Sequence, residues 1–152
     1  MDRMSHGHGL VDDIGFLMSR ASGLFVRATN AALASYGLRV RSYSVLLLAC
    51  EATEGVSQRD LAEVLGLDPS QVVLLVDDLA ASGLVERKPS ASDRRTKLVC
   101  ATAAGRKLRA EVVRVADAAV ADQLSGLTST EQFLLRDLLS RLVLGGRGAM
   151  SA

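Results

Sequence analysis

A chain of 152 residues with 49% hydrophobic side chains has enough material for one packed domain, or one domain with a dimerisation arm, and is too apolar for disorder. Only 3% is aromatic and Trp is absent, so the core must be built from Leu, Val and Ala. That composition favours helices over a β-sandwich and excludes aromatic platforms for single-stranded bases, while a net charge of +1 announces no polyanionic partner.

The first nine residues, "MDRMSHGHG", lack a signal-peptide core and read as a disordered tail. His6 and His8 in this Gly-rich start make a poor metal site, and no metal or cofactor is expected. Residues 10–37 carry Ile14, Leu17, Met18, Leu24, Phe25, Ala28, Ala32 and Leu33 at helical spacing, with Gly37 as the stop. This predicts a first helix of about 25 residues, long enough to leave apolar surface in need of a partner. "RSYSVLLLACEAT" is a second helix, apolar almost all round and therefore central, closed by Gly55. "SQRDLAEVLG" is a short third helix capped by Ser57, with Asp60 as a weak capping-box partner. "DPSQVVLLVDDLAASG" is the fourth, with Asp68 as N-cap, Pro69 at its first position, Gln71 at its third and Gly83 after its end. "LVERKPS" and "KLVCAT" form a hairpin. Thr102 opens a long fifth helix, and Thr128 with Glu131 caps a sixth that runs to Gly145–Gly146. Residues 147–152 read as a flexible end. No apolar run approaches the roughly 20 residues of a membrane helix, so a cytoplasmic protein is expected. Cys50 and Cys100 sit in apolar contexts without CxxC spacing and read as small core residues of a reducing compartment.

Charge is unevenly distributed. Glu51, Glu54, Asp60, Glu63, Asp68, Asp77, Asp78 and Glu86 against Arg59 give residues 51–86 a net −7. Arg87, Lys88, Arg94, Arg95 and Lys97 against Asp93 give residues 87–97 a net +4, enough to attract phosphate locally.

The order helix, short helix, tight turn, capped helix and two-stranded ribbon is a winged helix-turn-helix layout. In the fourth helix Val72, Leu75, Val76 and Leu79 follow core spacing. Ser70, Gln71, Val73, Leu74, Asp77 and Asp78 are left facing out. Gln71 suits adenine, and Val73 or Leu74 a thymine methyl. Ser57 and Gln58 at the start of the third helix, and Lys88 and Lys97 on the hairpin, are further DNA-facing candidates. An arginine fork suits a narrow, electronegative minor groove, and Asp93 is placed to hold Arg95 by a local ion pair.

The stretch "LAEVLGLDPSQVVLLVDDLAASGLVERKPSASDRRTKLVCATAAG" resembles the MarR (multiple antibiotic resistance regulator) family of transcription factors, through its "GLVER" passage into a "DRR" wing tip and the "AT-AAG" that follows. With the flanking helices the resemblance covers roughly residues 10–145. It implies a mainly α fold of six helices with a two- to three-stranded β-wing: a winged helix-turn-helix at 38–102 on a helical dimerisation region formed by 10–37 and 103–146. It also implies a homodimer on a pseudo-palindromic operator of double-stranded DNA, with Ser70, Gln71, Val73 and Leu74 toward the major groove. Arg95, joined by Arg94 and braced by Asp93, would enter the minor groove. Many relatives have Thr-Arg where this chain has Val73-Leu74, and a basic residue in place of Asp78, which shifts specificity toward wing contacts and DNA shape. The peroxide-sensing branch places a reactive Cys in the first helix, where this chain has none. Family members often bind small aromatic or phenolic anions between arm and winged domain; Met18, Arg20, Tyr36 and Tyr43 are the lining candidates here, with Arg20 as counter-ion.

No phosphate loop, metal-ligand cluster or nucleophile–base pair supports an enzyme. The expectation is a ligand-responsive repressor. The alternatives are a winged helix used for protein–protein contact, suggested by the acidic segment, and a thiol switch through Cys50 or Cys100.

Overall fold

A computed structural model of the chain describes residues 9–145. His6, His8 and the expected tails, Gly9 excepted, lie outside these residues. Six helices and one small sheet follow in the order expected. Helix α1 runs Ile14–Leu33, α2 Val40–Glu51, α3 Gln58–Leu65, α4 Pro69–Ala81, α5 Ala103–Gln123 and α6 Ser129–Leu144. The strands are β1 (Val56–Ser57), β2 (Val85–Pro89) and β3 (Lys97–Ala101).

The first helix is shorter than its apolar pattern suggests. The Asp13 side chain accepts the Phe16 N–H at 2.8 Å, so the α-helix starts at Ile14 and single 3-10 turns flank it at Leu10–Asp12 and Ala34–Tyr36. Helix α2 ends at Glu51, not at Gly55. Gly55 belongs to the turn into β1, at φ +97°, where an added Cβ would collide with the Cys100 Sγ and the Leu98 Cβ.

The sheet order is β1-β3-β2, antiparallel throughout. Val56 faces Val99, and the β2–β3 hairpin pairs Arg87 with Val99 and Pro89 with Lys97. The hairpin therefore gains a third strand of two residues, too short to show any alternation in sequence. Its pairing ties the central strand of the wing to the start of α3.

One continuous core links α1 to α5. Leu33, Leu38, Val45, Leu46, Leu61, Val72, Val76, Val85, Val99 and Val112 are all buried within it. Helix α4 contributes Val72, Val76 and Leu79, while Leu75, placed by spacing in the core, is only half-buried. Helix α5 enters this core through an unusually close approach. Gly105 lies against the Leu84 carbonyl, and the Thr102 hydroxyl donates to Gly83 O at 2.6 Å while accepting from Gly105 N at 3.1 Å.

Most of the apolar surface left over lies on α1, α6 and the turn before α1, with Val64 on α3, Val73 and Leu74 on α4 and Leu127 before α6 besides. Leu10, Val11, Ile14 and Met18 are exposed at one end of the chain, and Phe133, Leu134, Leu142 and Val143 at the other. Helix α5, expected to share this surface, exposes no large hydrophobic residue because α1 and the core consume its apolar side.

Candidate nucleic-acid interface

Helix α3 is started by Ser57, whose hydroxyl accepts the Asp60 N–H at 3.1 Å. Gly66 and Leu67 turn the chain into α4. There the Asp68 N–H donates to Gln71 Oε1 at 3.3 Å, closing the helix start on itself. Gln71 thus has its oxygen engaged, and bidentate pairing with adenine requires opening that cap. Ser70, Val73 and Leu74 are exposed along α4, Leu74 at 65%. Two apolar side chains offer methyl contacts there and no hydrogen bonds.

The wing turn is held by Asp93, but not in the manner expected. Its carboxylate accepts the Arg95 backbone N–H at 3.0 Å and the Thr96 hydroxyl at 3.3 Å, and it forms no ion pair with either arginine. A short Asx turn satisfies the backbone at the tip, which leaves both guanidinium groups free to leave the loop. Among the described residues Arg94, Arg95 and Lys97 are exposed and have no ion-pair partner. Lys88 differs: its ammonium lies 3.0 Å from Glu86, and that hydrogen bond raises its pKa above the usual lysine range.

Two residues not singled out as candidates complete the face. Arg59, on the first turn of α3, opens onto a cleft of about 600 Å³ shared with Ser57, Gln58, Val73, Arg95 and Lys97. Arg87 forms part of the cleft wall. It is held by Asp77 at 2.7 Å and by Gln58 Oε1 at 2.8 and 3.1 Å. The acid–base pair brings together residues ten positions apart, which no local pattern could reveal. Ser70, Gln71, Leu74, Lys88, Asp93 and Arg94 lie outside this cleft, along α4 and the wing.

A second cavity, of about 740 Å³, opens between α1, the start of α2, the later turns of α4 and α5. Tyr36, Arg39 and Arg41 line it together with Leu75, Asp78 and Leu108. Asn30 Oδ1 accepts the Val40 N–H at 2.8 Å and so fixes α1 against the start of α2. Of the four expected lining residues only Tyr36 is on its wall. Met18 and Arg20 are exposed on α1, and Tyr43 is half-buried against the core, its phenol pKa raised by burial and then by Asp117, with Arg109 opposing. Helical spacing puts residues on a face but does not say which face meets which neighbour.

Cys50 and Cys100 are both free thiols and half-buried. Burial pushes the Cys50 thiol pKa up, against the pull of Arg106 and Arg109. Among the described residues no group of His, Cys, Asp and Glu could hold a metal ion, and no helix is long and apolar enough to cross a membrane.

A short helix, a tight turn, a capped outward helix and a cation-tipped three-stranded ribbon define a winged helix-turn-helix protein. The sequence model of the MarR family matches residues 36–96. The HTH-type transcriptional repressor Rv2887 of Mycobacterium tuberculosis is 34% identical over 139 residues, covering 88% of this chain and 97% of that protein. The crystal structure of CouR from Rhodococcus jostii RHA1 bound to p-coumaroyl-CoA is 50% identical, with a TM-score of 0.84 over 90% of this chain and 96% of that one. A MarR-family transcriptional regulator from Rhodococcus sp. RHA1 is 48% identical, with a TM-score of 0.87 over 91% of this chain and 98% of the other. The chain belongs to the MarR family, whose members are transcription regulators and not enzymes.

Proposed function

We propose that this chain is a homodimeric, sequence-specific DNA-binding repressor that a small aromatic effector releases from a pseudo-palindromic operator. The observation that carries the reading is the set of exposed, unpaired cations, Arg94, Arg95 and Lys97, beside the outward face of α4. In this reading residues 38–102 form the DNA-reading head. Ser70, Gln71, Val73 and Leu74 face the major groove, and Arg95 with Arg94 enters the minor groove on a turn braced by Asp93. Ser57, Gln58 and Lys97 flank the phosphates and Arg59 joins them, while Lys88, expected among them, has its charge balanced by Glu86. With so few base-directed hydrogen bonds on α4, groove shape and wing contacts supply much of the specificity.

Residues 10–37 and 103–146 form the arm. Two copies clasped through α1 and α6 would cover Ile14, Phe133, Leu142 and Val143, which no single subunit buries. A dimer lying across a promoter in the cytoplasm blocks polymerase without further contacts, which favours repression. The effector site is the cavity beside Tyr36, where Arg39 and Arg41 suit an anion and Leu75 and Leu108 an aromatic ring. An aryl acid or its coenzyme A thioester fits this lining, in keeping with the p-coumaroyl-CoA bound to CouR.

A protein-docking role loses part of its support, since one acid of the segment that suggests it, Asp77, is paired with Arg87. A thiol switch through Cys50 loses support because burial disfavours its thiolate. Selection of genomic fragments by the purified protein, with sedimentation of the bound and free states, tests the proposal. Enriched fragments sharing an inverted repeat, bound by two subunits, are expected. Absence of enrichment, or a stable lone subunit on DNA, would overturn it.

A further inference from the structure

The carboxylate of Asp77 lies on the outward side of α4, where a phosphate backbone would repel it. Its partner is fixed, however. The Arg87 guanidinium donates Nη2 to Asp77 Oδ1 at 2.7 Å and to Gln58 Oε1 at 2.8 Å, while its Nε reaches the same Gln58 oxygen at 3.1 Å. One side chain of β2 is thereby tied to α3 and to α4 at once. These three elements bound the cleft that also holds Val73 and Arg95.

We infer that Asp77 and Gln58 are positioning residues which, by gripping Arg87, hold the wing at a set angle to α4, so that an acid on the DNA-facing side strengthens specific DNA binding. The inference rests on the DNA-binding reading above and adds a role for residues that reading leaves out or assigns to phosphate.

The geometry explains why a grip at this point matters. Arg87 sits at the middle of β2, and the hairpin projects beyond it toward Arg94 and Arg95. With a rise of about 3.3 Å per residue the tip lies roughly 17 Å from Arg87, so a rotation of about 10° at that point displaces the tip by about 3 Å, a full hydrogen-bond length. Pairing of β2 with β3, and of β3 with the two-residue β1, ties the wing to the start of α3 but does not by itself fix its angle to α4. The clamp does, since its other two members stand on separate helices. It also keeps Arg87 from drifting to any nearby phosphate, where it would add affinity without discrimination.

Simple charge counting predicts the opposite of the clamp. If Asp77 only repels DNA, Asp77→Ala tightens binding. If it positions, Asp77→Ala weakens binding to the selected fragment by about tenfold, the scale of one charge-assisted hydrogen bond. Binding to a scrambled duplex of equal length would hold or rise, and the salt slope would steepen by about 0.9 per freed Arg87 that meets a phosphate. A purely structural defect would weaken both duplexes alike. Arg87→Gln is expected to lose a similar factor, and the double variant Asp77→Ala/Arg87→Gln no more than either single change, because all three break one unit.

Binding of the tightest selected genomic fragment and of its scrambled counterpart, followed by fluorescence anisotropy across a salt series, reads all of these. Asp77→Asn, which keeps the size and one acceptor, gives an intermediate loss and serves if the alanine variant does not fold. Tighter or unchanged specific binding by Asp77→Ala or Asp77→Asn, or losses that add in the double variant, would overturn the clamp while leaving the DNA-binding reading intact. Wild-type protein that binds no fragment would overturn both.

Discussion

Replacing Arg94 and Arg95 together by Ala tests the wing directly, and the structure sets the size of the effect. Both guanidinium groups are exposed and have no ion-pair partner, so each is free to displace a counterion from DNA. A dimer loses four such charges, and at about 0.9 per neutralised phosphate the slope of log K against log salt falls by about 3.6. The affinity advantage at about 50 mM over about 200 mM salt therefore shrinks by about 150-fold. Lys88→Ala is the internal control. Lys88 carries a charge on the same hairpin but sits 3.0 Å from Glu86, so it brings little unbalanced charge to the DNA, and its removal should leave the slope nearly unchanged. Anisotropy of a labelled operator duplex over that salt range measures both. An unaltered slope in the arginine double variant, or an equal flattening by Lys88→Ala, would refute the assignment of free and spent cations.

Gly105→Ala should destabilise the protein by about 1–3 kcal/mol, because the new methyl meets the Leu84 carbonyl, although glycine-to-alanine changes within helices ordinarily stabilise. Thermal unfolding reads the sign. Phe133→Glu, at a residue 70% exposed in a single subunit, should leave folding intact and shift sedimentation from dimer toward monomer. Cys50 should alkylate slowly at neutral pH and faster as pH rises toward its burial-raised pKa; mass spectrometry after a timed iodoacetamide pulse would expose the error if it reacts like a free thiol at pH 7.

Local chemistry made the elements legible. Ser57, Thr102 and Thr128 each accept the backbone N–H three residues on, the arrangement that their spacing announces. The core face of α4 was legible through Val72, Val76 and Leu79. What sequence could not show depends on contacts between distant segments. Arg87, Asp77 and Gln58 meet only because β2, α4 and α3 fold together, so two apparently unfavourable acids on α4 could not be told apart: Asp77 is paired across the cleft, while Asp78 borders the cavity. Asp93 was legible as a brace for the wing, but its partners are a backbone N–H and a hydroxyl in place of a guanidinium. The cavity wall escaped for the same reason as the clamp. Arg39 and Arg41 flank it because α2 begins where α1 and α4 leave a gap, and neither residue stands out in a run of sequence.

The seamless interior has a bearing on how the protein is made. Val112 and Ala116 wall the same interior as Val45 and Val72, so a ribosome must extrude most of α5 before the winged region can close. A chain cut short before that helix keeps its wing but lacks one side of its interior. Chains truncated before α5 are expected to be digested by protease faster than the full chain.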